Sequence, residues 1–146
     1  MRAMGLDVGT KTVGVAVADE LGFTAQGITT VRRTGLKADL EALRKIATEY
    51  QVTHAVIGLP LNMDGSEGPR AQASRDFARQ VEERLGLSTE LWDKRLTTVA
   101  AERVLLEGDV SRQKRRQVID QVAASLILQG WLDARRPPPD NDDWEP

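Results

Sequence analysis

The chain has 146 residues, 40% of them hydrophobic and 29% charged, a balance that suits one globular domain burying roughly two-thirds of its unfolded surface. With no Cys and one His it has no disulfide framework, thiolate metal site or cysteine nucleophile, and little basis for structural zinc. The net charge of −2 is unevenly spread: Asp140, Asp142, Asp143 and Glu145 crowd the last ten residues, leaving 18 of the 22 acids against all 20 bases in residues 1–136.

That acidic, proline-rich end, 137–146, carries too little apolar surface to order itself and reads as a disordered tail behind a domain spanning 1–136. No apolar run approaches the roughly 20 residues that cross a bilayer, and the N-terminus lacks the blocks of a signal peptide, so no membrane partner is expected and the cytoplasm is the expected compartment.

In chain order, Met4, Leu6 and Val8 alternate with Gly5, Asp7 and Gly9, and Val13, Val15 and Val17 repeat the alternation after a Gly9-Thr10-Lys11 turn, which predicts a β-hairpin. A third strand is expected from about Phe23 to Val31. Leu36, Leu40, Leu43, Ile46 and Tyr50 then recur at helical spacing. The apolar run HAVIGLPL, 54–61, ends at a proline and the turn-rich NMDGSEG, as a buried strand running into a loop would. Pro69 can open the next helix, whose apolar side holds Phe77, Val81 and Leu85 and which stops at Gly86. TELW, 89–92, makes a fifth strand, and two helices follow, about Thr98 to Glu107 and about Gln113 to Asp133. Three meandering strands, then helix, strand, helix, strand and helix, describe an α/β protein with a mixed five-stranded sheet flanked by helices, the element order of the ribonuclease H-like fold.

Asp7 needs explaining, because an unpaired carboxylate among apolar neighbours is costly and something positive should meet it. Asp120 poses the same question. Its helix, VIDQVAASLILQGWL, is apolar on nearly every side, which predicts burial, and the small Ala123 and Ala124 would let it approach the sheet closely enough for Asp120 to meet Asp7. As an alternative, Asp120 caps a loop or pairs with an arginine. Two converging carboxylates favour a hard cation with oxygen ligands, Mg2+ or Mn2+. Such a site cleaves a phosphodiester through activated water, with no protein nucleophile. His54, at the start of the fourth strand, reads as a strand-edge residue rather than a general base.

Asp-Val-Gly-Thr, residues 7–10, resembles the phosphate-cradling hairpin of the actin and sugar-kinase superfamily, but those proteins close two copies of the fold around a nucleotide and this chain has length for one. GLDVGTKTVGVAVAD, GLPLNMDGS, LWDKRLTT and IDQVAASLILQ, spread over most of residues 4–130, together resemble the YqgF family, also called RuvX, of Holliday-junction-resolvase-like nucleases. The resemblance implies a ribonuclease H-like fold, a divalent metal at acidic residues, and maturation of the 5′ end of pre-16S ribosomal RNA; branched DNA is the rival substrate, and a catalytically weak nucleic-acid-binding maturation factor the rival function.

In one place the chain departs from that family. Where the family block reads Asp-Glu-Arg-Leu, its glutamate the implied third metal ligand, this chain has Asp93, Lys94, Arg95 and Leu96. A protonated lysine cannot ligate a cation. Either Asp93 takes over, or another acid does, or metal binds only with nucleic acid present. Strand alternation turns neighbours to opposite faces and disfavours Asp93 unless the strand has ended. The expected ligand and catalytic set is nonetheless Asp7, Asp93 and Asp120.

The expected nucleic-acid surface is Arg112, Lys114 and Arg115 in SRQKRRQ, just ahead of Asp120, extended by Lys94, Arg95 and Lys11. Phosphates drawn there would lie near the metal site, with salt-dependent affinity. Few aromatics are present, so recognition should rest on backbone and shape rather than base stacking. NMDGSEG, 62–68, reads equally as a plain turn and as a loop lining the groove.

Overall fold

The computed structural model describes residues 2–96 and 112–135. Its sheet has five strands: β1 (Ala3–Val8), β2 (Thr12–Ala18), β3 (Ala25–Arg32), β4 (His54–Leu59) and β5 (Ser88–Asp93), in the order β3-β2-β1-β4-β5. β1, β2 and β3 form an antiparallel meander, while β4 and β5 run parallel to β1. The parallel connections need crossovers, and helices α1 (Leu36–Glu49) and α2 (Pro69–Leu85) supply them.

The valine alternation predicts β1 and β2 closely; the third strand begins two residues later than expected, at Ala25. Proline opens α2 at its first position, and Gly86, in the left-handed region at φ 69°, ends it. Of the two C-terminal helices expected, Thr98–Glu107 lies outside the described residues, as does the tail 137–146. The other is α3 (Arg112–Arg135), slightly longer than the expected span.

The sheet divides two cores. On one face Met4, Leu6, Val13, Val15 and Ile57 pack against Leu40 and Leu43 of α1 and Phe77 and Val81 of α2. Each such side chain, fully buried, contributes about 1.5–3 kcal/mol of transfer free energy. On the other face Ala3, Ala16, Ala18 and Val56 meet Ala124, Ile127, Leu128, Trp131 and Leu132 of α3.

The strands on the α3 side are floored with small residues. A Cβ on Gly5 would stand 2.7 Å from both the Ala124 carbonyl oxygen and the Leu128 Cβ, and one on Gly27 would stand 2.9 Å from the Gln121 carbonyl oxygen. Gly14 lies against the backbone of Asp120. Helix α3 is therefore seated on a track of glycines, closer than any side chain would permit. Its burial is narrower than the sequence suggests: Ala123, Ala124, Ile127, Leu128, Trp131 and Leu132 form the buried stripe, and Asp120 is half-buried. A helix resting on one sheet face needs only one apolar stripe to fill the contact.

Candidate functional site

Asp7 is the next-to-last residue of β1. Strand alternation sends it to the α3 face with Gly5, while Leu6 and Val8 join the opposite core. In the antiparallel ladder Asp7 is paired directly with Gly14 of β2, and Gly14 is the residue on which the Asp120 backbone rests. Register and close approach thus bring Asp7 and Asp120 to one patch. The Thr12 hydroxyl donates to Asp120 Oδ2 at 2.6 Å and holds that carboxylate over the start of β2.

The positive group demanded by Asp7 is Lys94, whose Nζ donates to Asp7 Oδ1 at 2.5 Å. Lys94 begins a single 3-10 turn, Lys94–Leu96, directly after β5. Leu91 packs with the α1/α2 core and Trp92 with the α3 core, so alternation carries Lys94 to the Asp7 face.

Asp93 faces elsewhere. Arg95 grips its carboxylate, Nη2 to Oδ2 at 2.7 Å and Nε to both oxygens, and the Arg95 backbone N–H donates to Oδ1 at 2.9 Å. The Arg95 side-chain bonds, with the backbone bond and its charge, hold the Asp93 carboxyl below the usual range. Of the expected set Asp7, Asp93 and Asp120, Asp93 is engaged by Arg95 rather than turned to Asp7, and among the described residues no three His, Cys, Asp or Glu side chains group closely enough to hold a metal ion.

Lys11 is exposed in the β1–β2 turn. Arg95 is committed to Asp93 and reaches the 62–68 loop, where a Cβ on Gly65 would lie 3.6 Å from its Nη1. Arg112, Lys114 and Arg115 belong to the first turns of α3, with side chains outside the described residues. His54 starts β4 beside Ala3, at the other end of the sheet from Asp7, and its Nδ1 lies 2.9 Å from the Thr53 hydroxyl.

NMDGSEG is a braced turn. Leu61 pairs with Glu67, Gly65 takes φ 87°, and Asp64 Oδ1 accepts the Ser66 hydroxyl and backbone N–H at 2.5 and 2.9 Å. These bonds, the hydroxyl foremost, lower the Asp64 pKa. The loop follows the carboxyl end of β4, the end at which Asp7 and Lys94 meet.

Thr12 and the glycine track were missed by sequence reasoning. The glycines left a signal, four of them at strand positions 5, 14, 27 and 58, where glycine marks close backbone approach. Thr12 left none, because its partner is 108 residues away.

The carboxylate of Asp7 on the central strand and that of Asp120 on the helix crossing the same face are hard oxygen donors of the kind that could hold a divalent ion, which is commonly bound by one or two carboxylates with water and substrate phosphates completing its shell. Sheet order and helix placement define a ribonuclease H-like α/β protein. Two solved structures share the fold over 92% of this chain: T. thermophilus RuvC in complex with a Holliday junction substrate (TM-score 0.54, 13% identity, 95% of that chain) and the Fowlpox virus resolvase with Holliday junction DNA (TM-score 0.57, 10% identity, 98% of that chain).

The model of the RuvX family, described as Holliday junction resolvase, matches residues 1–134, and the chain belongs to that family. A protein from Myxococcus xanthus, 70% identical over the full length of both chains, carries the name "Putative pre-16S rRNA nuclease". A Moorella thermoacetica protein of the same name is 62% identical over 91% of this chain and 95% of its own length. Among the described residues, no helix is long and apolar enough to cross a membrane.

Proposed function

We propose that the protein is a metal-dependent nuclease that hydrolyses phosphodiester bonds in precursor 16S ribosomal RNA, with Asp7 and Asp120 as its ligand pair. The observation that carries this reading is that Gly14 joins the two acids: Asp7 is paired with it across the β1–β2 ladder, and Asp120 is seated on it from the helix. The names of the full-length relatives support the substrate.

Asp7 and Asp120 would hold the ion, Mg2+ or Mn2+, from the sheet and from the helix. When bound, it lowers the pKa of a coordinated water and neutralises charge developing on the leaving oxygen. Thr12 positions Asp120 by its hydroxyl bond, so that the carboxylate is pre-organised at little entropic cost. Lys94 and Lys11, with Arg112, Lys114 and Arg115 at the start of α3, supply positive charge for the phosphate backbone.

The test is cleavage of labelled pre-16S RNA fragments, duplex DNA and a four-way junction in Mg2+, Mn2+ or EDTA by wild type, Asp7→Asn and Asp120→Asn. Metal-dependent cleavage of the RNA that both variants lose, with the folded state retained, is the expected result. Cleavage by either variant at the wild-type rate removes that residue from the ligand pair. The family description favours one other substrate, the four-way junction, and preferential cleavage of that arm would transfer the activity to DNA.

A further inference from the structure

The Asp7–Lys94 pair is built in. To reach β1 from the end of β5, the lysine must cross β4, and it crosses at Gly58. A Cβ on Gly58 would stand 2.7 and 2.8 Å from Lys94 Cγ and Cδ, and 2.6 Å from Ile127 Cδ1, so the missing side chain leaves the space in which the lysine stem lies. Lysine gives up much of its rotamer freedom when fully fixed. The seat at Gly58 limits the freedom left to lose, and the pair that results is largely shielded, with side chains 21% and 12% exposed.

An ammonium and a divalent ion compete for the same carboxylate oxygens. They also repel each other at the few ångströms separating two groups on one carboxylate, weakly screened where water is partly excluded. We infer that Lys94 is the resident counter-cation of Asp7 in the free protein, and that the site takes up its divalent ion together with nucleic acid, whose phosphate offers the ammonium another partner. This deepens the proposed function, because it rests on Asp7 being a ligand. Until substrate arrives, the lysine meets the charge of Asp7.

The consequence is a linkage. If nucleic acid draws Lys94 away from Asp7, it must tighten metal binding, and metal must tighten nucleic-acid binding by the same factor. Removing the ammonium should release most of that coupling in advance.

The experiment measures Mn2+ binding by electron paramagnetic resonance of the free ion, for wild type, Lys94→Met, Lys94→Gln and Asp7→Asn. It is run without nucleic acid and with a saturating single-stranded RNA oligonucleotide, RNA alone serving as the reference. Methionine keeps an unbranched stem for the Gly58 seat, glutamine is a second uncharged variant, and thermal unfolding checks that each is folded. Both lysine variants should bind Mn2+ at least about tenfold more tightly than wild type without RNA, and should gain less from adding it. Asp7→Asn should lose the site. Equal or weaker Mn2+ binding by both lysine variants overturns the inference, as does tight binding that survives Asp7→Asn. Because binding is read directly, this result stands apart from the cleavage assay: loss of the nuclease reading with the Mn2+ pattern intact would leave the counter-cation role standing.

Discussion

Replacing Gly14 with alanine tests whether the close approach of α3 is what sets Asp120 beside Asp7. The added Cβ would stand 2.5 Å from the Asp120 carbonyl carbon and 3.0 Å from its Cβ, and would overlap its carbonyl oxygen, whereas ordinary contact begins at 3.4 Å. Backbone cannot swing aside, so the helix must retreat by about 1 Å, and overpacking of this kind costs about 1–3 kcal/mol. The retreat also opens the contact of Ala124, Ile127 and Leu128 with the sheet, all fully buried, which argues for the upper part of that range. For a chain of this size the melting temperature should fall by roughly 5–10 °C. A displacement near 1 Å at a reacting group costs on the order of a hundredfold in rate, so single-turnover cleavage at 25 °C, where the variant remains folded, should drop by about that factor. Gly35→Ser is the control. Nothing lies within 4 Å of a Cβ there, its φ of 165° is extended, and serine adds a helix-capping oxygen, so stability should stay within about 0.5 kcal/mol. If Gly14→Ala melts and cleaves like wild type, α3 does not bear on Gly14 and the argument joining the two carboxylates fails. A lower melting temperature with unchanged cleavage would refute the second step alone.

Asp39 gives a pH-dependent prediction. Burial by itself would raise its carboxyl, but the hydrogen bonds from the Thr34 N–H and the Arg33 guanidinium, with the charge of Arg33, outweigh burial and hold it below the ordinary carboxylate range. Its stabilisation is therefore present above about pH 4 and lost as pH falls through the lower folded value, so Asp39→Asn should cost about 2 kcal/mol at pH 7 in urea unfolding and progressively less in acid. A gap that stays constant to pH 3 would refute this. Asp93→Asn should leave the metal dependence of cleavage unchanged, since Asp93 is held by Arg95, while a raised metal requirement would return Asp93 to the ligand set. Replacing Arg112, Lys114 and Arg115 together with alanine should flatten the salt dependence of RNA binding by up to about 3 units of log-log slope, and an unchanged slope removes this segment from the interface.

Local rules made much of this protein legible from its residues. A period of two set Gly5 and Asp7 against Met4, Leu6 and Val8, because successive strand side chains must alternate, and it placed Asp7 on the correct face. Pro69 and Gly86 bounded α2 through backbone geometry that each residue carries with it. The demand for positive charge at Asp7 was equally intrinsic, since it follows from the cost of burying a carboxylate.

What supplies that charge was decided only by the fold. Lys94 is 87 residues from Asp7, and whether it or Asp93 arrives depends on where β5 ends, which way the next residue turns, and whether Gly58 leaves room to cross β4. The same holds for Asp120, whose place over Gly14 depends on how deeply α3 sinks into the glycine track, and for Thr12, which acquires a role only when that helix arrives. Alternation, capping and turn preferences are properties of neighbours along the chain and can be read there. Convergence of residues from β1, β2, α3 and the end of β5 is a property of packing distance, set by the volumes of side chains that meet only after the sheet and its helices have assembled.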